Sequence, residues 1–218
     1  DEMFGSYLGP EYNNEEIKNK LDKLDAIYNK YNTDDMINKT ALYLSEEKTV
    51  GWFQGRMEFG PRALGARSIL FHTRDHHVND WLNKKLKRTE FMPFAPVTPV
   101  ELAKKCYIKW QKTDNCTPFM TQTFKCTKHF IKNHPAVVHI DGTARPQTID
   151  RKHNRIYYNV VKKYCKLTGE NALINTSFNQ HEEPIVCNPN DAIKSLLANN
   201  VDVLAMGNYL IKKMRFKQ

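Results

Sequence analysis

No stretch of this 218-residue chain approaches the roughly 18 consecutive apolar residues that a membrane span requires. Its first residues, DEMFGSYLGPEY, are acidic and polar where a secretory signal needs a basic start and an apolar run. The expected compartment is therefore cytoplasmic. Cysteine is sparse too. The five residues at 106, 116, 126, 165 and 187 form no C-x-x-C pair, which excludes the common zinc-knuckle and redox spacings. Cys106, Cys116 and Cys126 recur every ten residues with His129 nearby, but ten-residue gaps are not usual ligand spacing. No protein-held metal is expected, and the odd count favours reduced thiols. Neither a Walker A loop nor a G-x-G-x-x-G fingerprint occurs.

Arginine is the other scarce residue, with 9 against 24 lysines. Yet Arg56, Arg62 and Arg67 fall within twelve residues, in and beside the stretch EFGPRALGARSIL (58–70). The formal charge of +9 admits a basic nucleic-acid-binding module as an alternative reading. The lysines are spread over every expected element, however, and no aromatic–basic platform accompanies them. Abundant lysine with 20 asparagines points to codon bias, and a basic surface attracts small anions equally well.

Apolar periodicity gives an alternation of strands and helices without repeats, the pattern of one α/β domain over 1–218. Ile17, Leu21, Leu24, Tyr28 and Tyr31 predict one amphipathic helix over 14–31, capped by Asn13 or Asn14. Thr33 caps a second, with Ile37, Ala41 and Leu44 inward. TVGWFQG (49–55) and RSILFH (67–72) read as strands. Asp75 caps a helix presenting Val78, Leu82 and Leu86. The three prolines of EFMPFAPVTPV (90–100) predict an extended segment or edge strand. Residues 101–134, rich in Lys, Thr and Cys, read as a mobile insertion or lid. AVVHI (136–140) is a strand leading to DGTARPQT. A helix from Asn154 stops at Gly169, NALIN (171–175) is a strand, and Asn188-Pro189 opens the last helix. DVLAMG and YLIKK close the chain as strands.

Loops at the carboxyl ends of strands are where α/β folds place ligands. GPRALG has the chemistry for one: Pro61 suits the first turn of a short helix, whose free N–H groups and Arg62 would together hold an oxyanion. Arginine serves better than lysine there because its planar fork meets two oxygens at once. Taken singly, each arginine reads equally well as a surface ion pair, with Glu58 for example. Ser and Asn in TSFN are ordinary turn formers, and His139 and His153 read as structural.

Four ordered stretches carry a resemblance: GWFQGRMEFGPRALGARSIL, LNKKLKRTEFMPFAP, HIDGTARPQT and LINTSFNQHEEPIVCNPNDAI. Together they resemble the C-terminal domain of the O-carbamoyltransferase family, which includes the nodulation-factor and antibiotic carbamoyltransferases. The resemblance runs from LGPEYNNEEI to NYLIKK. It implies a YrdC-like α/β fold, a twisted open mixed sheet with flanking helices around a basic concave pocket. It also implies an activity: carbamoyl phosphate and ATP are converted to carbamoyl adenylate and pyrophosphate. A separate N-terminal actin-like domain, using its own metal, then moves the carbamoyl group to a hydroxyl. Nothing in this chain resembles that half, and the chain begins at Asp1, so a piece of a longer enzyme or of a fusion is expected. A threonylcarbamoyl-adenylate synthase-like enzyme is the nearer alternative, which EFGPRALG and DGTARPQ disfavour.

The S-x-N part of the YrdC-like signature maps onto Ser177 and Asn179. Its K-x-R part falls on Lys85-Leu86-Lys87-Arg88, with Lys85 or Lys87 as the lysine. The resemblance thus implies Arg62, Lys87, Arg88, Arg145, Ser177 and Asn179 as the catalytic set, and Arg56, Gly60, Lys85, Thr98 and Thr143 as further substrate and nucleotide contacts. ATP enters as substrate with Mg²⁺ accompanying it.

Overall fold

The computed structural model describes residues 5–87, 93–112 and 115–212. Seven helices and ten strands alternate along them. They run α1 (Asn14–Lys23), β1 (Tyr28–Lys30), α2 (Thr33–Ser45), β2 (Val50–Phe53), β3 (Arg67–Phe71), α3 (His77–Lys85), β4 (Ala95–Pro99), α4 (Ala103–Cys106) and β5 (Phe124–Lys125). There follow α5 (Lys128–Asn133), β6 (Thr143–Ala144), β7 (Gln147–Ile149), α6 (Arg155–Thr168), β8 (Leu173–Ser177), α7 (Pro189–Leu197), β9 (Val203–Met206) and β10 (Tyr209–Lys212).

Eight strands make one open mixed sheet in the order β1-β10-β9-β2-β3-β8-β4-β7. Only β2–β9 and β4–β7 pair in parallel. The strands are apolar on both faces. Ile69 and Phe71 of β3 point into one cluster with α1, α3 and α7, while Leu70 points into another with α2 and α6. Helices therefore cover both faces, which is the α/β architecture with flanking helices that the sequence led us to expect. Caps follow the local chemistry: Asn13 closes a capping box on Glu16, Asn32 rather than Thr33 caps α2 by accepting from the Asp35 N–H, and Asn188 with Asp191 caps α7 behind Pro189. Asp75 is not the cap of α3, whose cap position is His76, although its Oδ1 accepts from the His77 N–H.

Four expectations need correction. The helix expected over 14–31 stops at Lys23, because Asp25 takes φ 47° and breaks the right-handed path. Tyr28 then joins the sheet, packing its ring edge-on to Tyr209 at 5.2 Å. The proline-bearing β4 is interior, between β8 and β7, rather than an edge. Its pairing with β7 begins at Val97, after Pro96, and Pro99 is its last residue, so the missing N–H groups disturb little. AVVHI is no strand: Pro135 opens a 3-10 turn, and His139 to Thr143 is a tight turn around Gly142 at φ 76°.

The fourth correction concerns residues 101–134. They are no lid. Cys106, Tyr107, Trp110, Phe124, Cys126 and Phe130 are buried in the main core, with the Tyr107 and Phe130 rings at 5.2 Å. The lysines that made the segment look unstructured all point outward, from Lys104 to Lys132. Burial pushes the Cys106 and Cys126 thiols up to about 12, while Cys116 is exposed at a separate turn. These are packing residues in a core, not a ligand series.

Candidate functional site

The arginine-rich stretch is the loop joining β2 to β3, and it contains no helix. The expected helix N-terminus at Pro61 is absent because the loop's backbone donors already have an acceptor. Glu58, 3% exposed, turns inward, and its Oε1 accepts from the N–H groups of Leu64 (2.6 Å), Ala66 (2.9 Å) and Arg67 (3.2 Å). The carbonyls on the same turn are held from the other side. Asn175 Nδ2 donates to Ala63 O, Gln147 Nε2 and Tyr7 OH donate to Leu64 O, and Trp52 Nε1 donates to Gly65 O. Gly65 is required here: its φ is 106°, and a Cβ would stand 2.1 Å from the Tyr157 ring. A loop tied at every peptide from 63 to 67 is a rigid mount.

The three arginines on this loop have separate fates. Arg67 is fully buried over the Phe53 ring at 3.6 Å and donates to the carbonyls of Gln54, Gly55, Ala66 and Pro10. Burial pulls its guanidinium down to about 10. Arg56 donates to the carbonyls of Leu8 and Gly9 and ties down the N-terminal segment. Only Arg62, just beyond Gly60 and Pro61, projects into open space. The clustering of arginine thus has two causes, fastening a loop and arming it.

Arg62 lines a cleft of about 270 Å³, and Arg145, Ser177 and Asn179 line it as well. Arg145 comes from the β6–β7 connection, and Ser177 ends β8. Arg145 has no carboxylate partner among the described residues, and its Nε is buried without an acceptor. Burial first, and the Arg62 charge second, hold its guanidinium below the ordinary arginine range. Two cations on one cleft wall, the second without a carboxylate partner among the described residues, suit an incoming anion. Ser177 Oγ donates to Asn179 Oδ1 at 2.6 Å, and Asn179 Nδ2 donates to Glu183 O at 2.7 Å, which fixes the S-x-N turn as one unit.

Other sequence candidates lie elsewhere. Lys85 does not reach the cleft: its ammonium bonds Asp202 at 2.8 Å and Thr49 at 2.9 Å, beside the residues that enter β9 and β2. Asp202 is correspondingly held below the usual carboxylate range against the opposing effect of burial. Thr98 is buried against Tyr107 OH, and Thr143 bonds Asp141 in the Gly142 turn. Lys87 is exposed at φ 55° after α3 and is not among the lining residues, and Arg88 falls outside the described residues. Lys85→Met is therefore expected to lower stability by about 1 kcal/mol, the net worth of such a bond, without changing anion binding. Urea unfolding beside a phosphate titration measures both; weakened binding at unchanged stability would return Lys85 to the site.

Sequence reasoning passed over Gln147 and Asn175, and took Glu58 only for an ion-pair partner. Each sits inside a quoted motif but looks like an ordinary polar loop or strand residue. The available signal was position: Asn175 shares a strand face with Ser177, two residues on.

Fold and cleft together define an α/β domain with an open mixed sheet and an arginine-lined cleft at one end of β8. The sequence profile described as Carbamoyltransferase C-terminus matches residues 41–213, and the chain belongs to that family. It is 40% identical over 181 residues to nodulation protein NolNO of Sinorhizobium fredii, covering 83% of this chain and 26% of that protein. Nodulation protein NolO of Bradyrhizobium diazoefficiens is 36% identical over 209 residues, 95% of this chain and 38% of the other. An uncharacterised protein of Methanocaldococcus jannaschii is 38% identical over 216 residues, 96% of this chain and 41% of its own length. The chain thus spans well under half of these relatives. Among solved structures, full-length HypF in the phosphate- and nucleotide-bound form shares the fold, with TM-score 0.58 and 21% identity over 81% of this chain and 25% of that one. Among the described residues, no helix is long and apolar enough to cross a membrane.

Proposed function

We propose that this chain is the adenylate-forming part of an O-carbamoyltransferase. The observation that carries the reading is the pairing of Arg62 and Arg145 in one cleft, without a carboxylate to neutralise Arg145 and beside the Ser177–Asn179 turn. Family membership supports carbamoyl transfer, and carbamoyl phosphate and ATP are the substrates that the reading requires. Carbamoyl phosphate and water give carbamate and phosphate; a carbamate oxygen then attacks the α-phosphorus of ATP, and the bond to pyrophosphate breaks. Charge gathers on phosphate oxygens at both stages, where fixed guanidinium forks stabilise it most. The Ser177 hydroxyl, turned in the free protein toward Asn179, swings to a phosphate oxygen. Mg²⁺ travels on the nucleotide's own phosphates, since among the described residues the cleft wall offers one carboxylate, Glu182, and not a cage of oxygens. A separate actin-like domain makes the transfer to a hydroxyl acceptor.

The test is pyrophosphate release by this chain from ATP, Mg²⁺ and carbamoyl phosphate. Release is expected to depend on carbamoyl phosphate and to ignore added hydroxyl acceptors. Ser177→Ala combined with Asn179→Ala is expected to lower it roughly a hundred- to a thousandfold, the scale of a deleted oxyanion donor. Equal release from the wild type and the double variant would mean that the fold is kept and the chemistry lost.

A further inference from the structure

The cleft wall contains a buried group that an anion cannot use. Asn175, 2% exposed on β8, lines the cleft with its Oδ1 buried and without a hydrogen-bond donor. The amide cannot be turned over to hide that oxygen. Its Nδ2 donates to Ala63 O at 3.0 Å and to Gln147 Oε1 at 2.7 Å. Gln147 is fixed in turn, because its Nε2 donates to Leu64 O at 2.8 Å. Two backbone carbonyls, which can only accept, thus set the orientation of both side chains. Oδ1 is left over by construction, and an unsatisfied buried acceptor calls for a functional account.

The oxygens of a fully ionised phosphoryl group only accept, so they are repelled by Oδ1 while Arg62 and Arg145 attract them. The ligand that satisfies the whole cleft therefore carries an N–H donor close to an anionic group. Asn175 and Ser177 lie on one face of β8, about 7 Å apart along the strand, which keeps the acceptor near the phosphate-binding side chains. Arg145 Nε, buried and without an acceptor, supplies the complementary donor. An acceptor and a donor left open in the same cleft match a planar amide, whose NH₂ gives and whose carbonyl oxygen takes.

We infer that Asn175 is a specificity-determining residue that reads the amine of the carbamoyl group and so distinguishes carbamoyl phosphate from acyl phosphates lacking an N–H. The inference rests on the adenylate-forming reading and adds the selection step to it. The 6-amino group of adenine offers a similar donor, but in ATP it is separated from the phosphates by the ribose, which fits an acceptor beside two arginines less well.

Binding titrations on this chain in the cold, with carbamoyl phosphate, acetyl phosphate and inorganic phosphate, test it. Acetyl phosphate puts a methyl where the amine stands. The wild type is expected to bind carbamoyl phosphate at least about tenfold more tightly, the behaviour of a site built around a hydrogen bond. Asn175→Ala should bring the two within about threefold; loosening of the Ala63 turn lowers all three phosphate compounds alike, so a merely structural loss leaves the carbamoyl-to-acetyl ratio where it was. If that variant fails to fold, Asn175→Ser keeps a donor for Ala63 O while withdrawing the amide oxygen, and the same ratio is read. A wild type that binds both equally overturns the inference and leaves the proposed function standing, as does a folded variant that still discriminates. If Asn175→Ala instead erases the preference for ATP over purine riboside triphosphate, the oxygen reads adenine and the assignment is wrong. Failure of every phosphate compound to bind the wild type would sink both readings.

Discussion

Arg62→Met combined with Arg145→Met is expected to weaken carbamoyl phosphate and ATP binding by on the order of a thousandfold and to leave the fold as stable as before, or more so. The two effects have one cause. In the free protein Arg145 is half-buried, its Nε has no acceptor, and burial and Arg62 both work against its charge. Removing these cations relieves repulsion and desolvation that the folded chain otherwise carries. An incoming phosphate loses two charge-assisted contacts at the same time, each worth about 1.5–3 kcal/mol. Gain in stability with loss of binding is the signature of a functional site, since a structural residue loses both together. Arg62→Lys is the finer test, keeping the charge and dropping the fork, with a loss of about 1–3 kcal/mol. Calorimetric titration and thermal melting on the same samples give both axes. Melting well below the wild type, with affinity intact, would make the pair structural.

Much of the sheet was legible in advance because its strands are short apolar runs bounded by turn residues. Val50–Phe53, Arg67–Phe71, Val203–Met206 and Tyr209–Lys212 all fall where the pattern placed them. The caps at Asn154, Gly169 and Asn188 were equally readable, since each has a local chemical reason. What failed was the reading of segments whose state is decided by distant partners. Tyr28 continues a helical spacing by sequence, but its ring has Tyr209 to pack against in a strand. The 101–134 stretch looks polar on average, and averaging hides that Tyr107, Trp110 and Phe130 share one inward side.

The site divides along the same line. Arg62, Arg145, Ser177 and Asn179 come from three distant stretches, and the structure brings them to one cleft. Composition flagged the arginine cluster but could not say that Arg56 and Arg67 are fasteners, because their acceptors are carbonyls as far away in sequence as Leu8 and Pro10. A carboxylate among arginines suggests an ion pair by sequence. Glu58 serves backbone amides instead, which no side-chain pattern reveals.

Glu58→Ala is accordingly expected to be the most damaging single change on the loop, costing about 3–5 kcal/mol of stability. Three backbone N–H groups, of Leu64, Ala66 and Arg67, would be left buried around a void. Arg67 would suffer as well. Glu58 is the largest influence opposing the burial that already holds its guanidinium down, so the substitution strands a buried cation. Glu58→Gln separates the two contributions. Its amide oxygen can still accept from the loop, while its NH₂ takes the place of Oε2, which is buried and has no partner. A cost nearer 1–2 kcal/mol is expected for it, from the lost charge and the unsatisfied NH₂. Anion affinity should fall in both variants even where the protein stays folded, since Arg62 is carried on the turn that Glu58 closes. Urea unfolding of the three proteins, with phosphate titrations below the transition, resolves the two effects. If Glu58→Ala lies within about 1 kcal/mol of the wild type, water reaches those amides and the loop is not the rigid mount that the cleft requires.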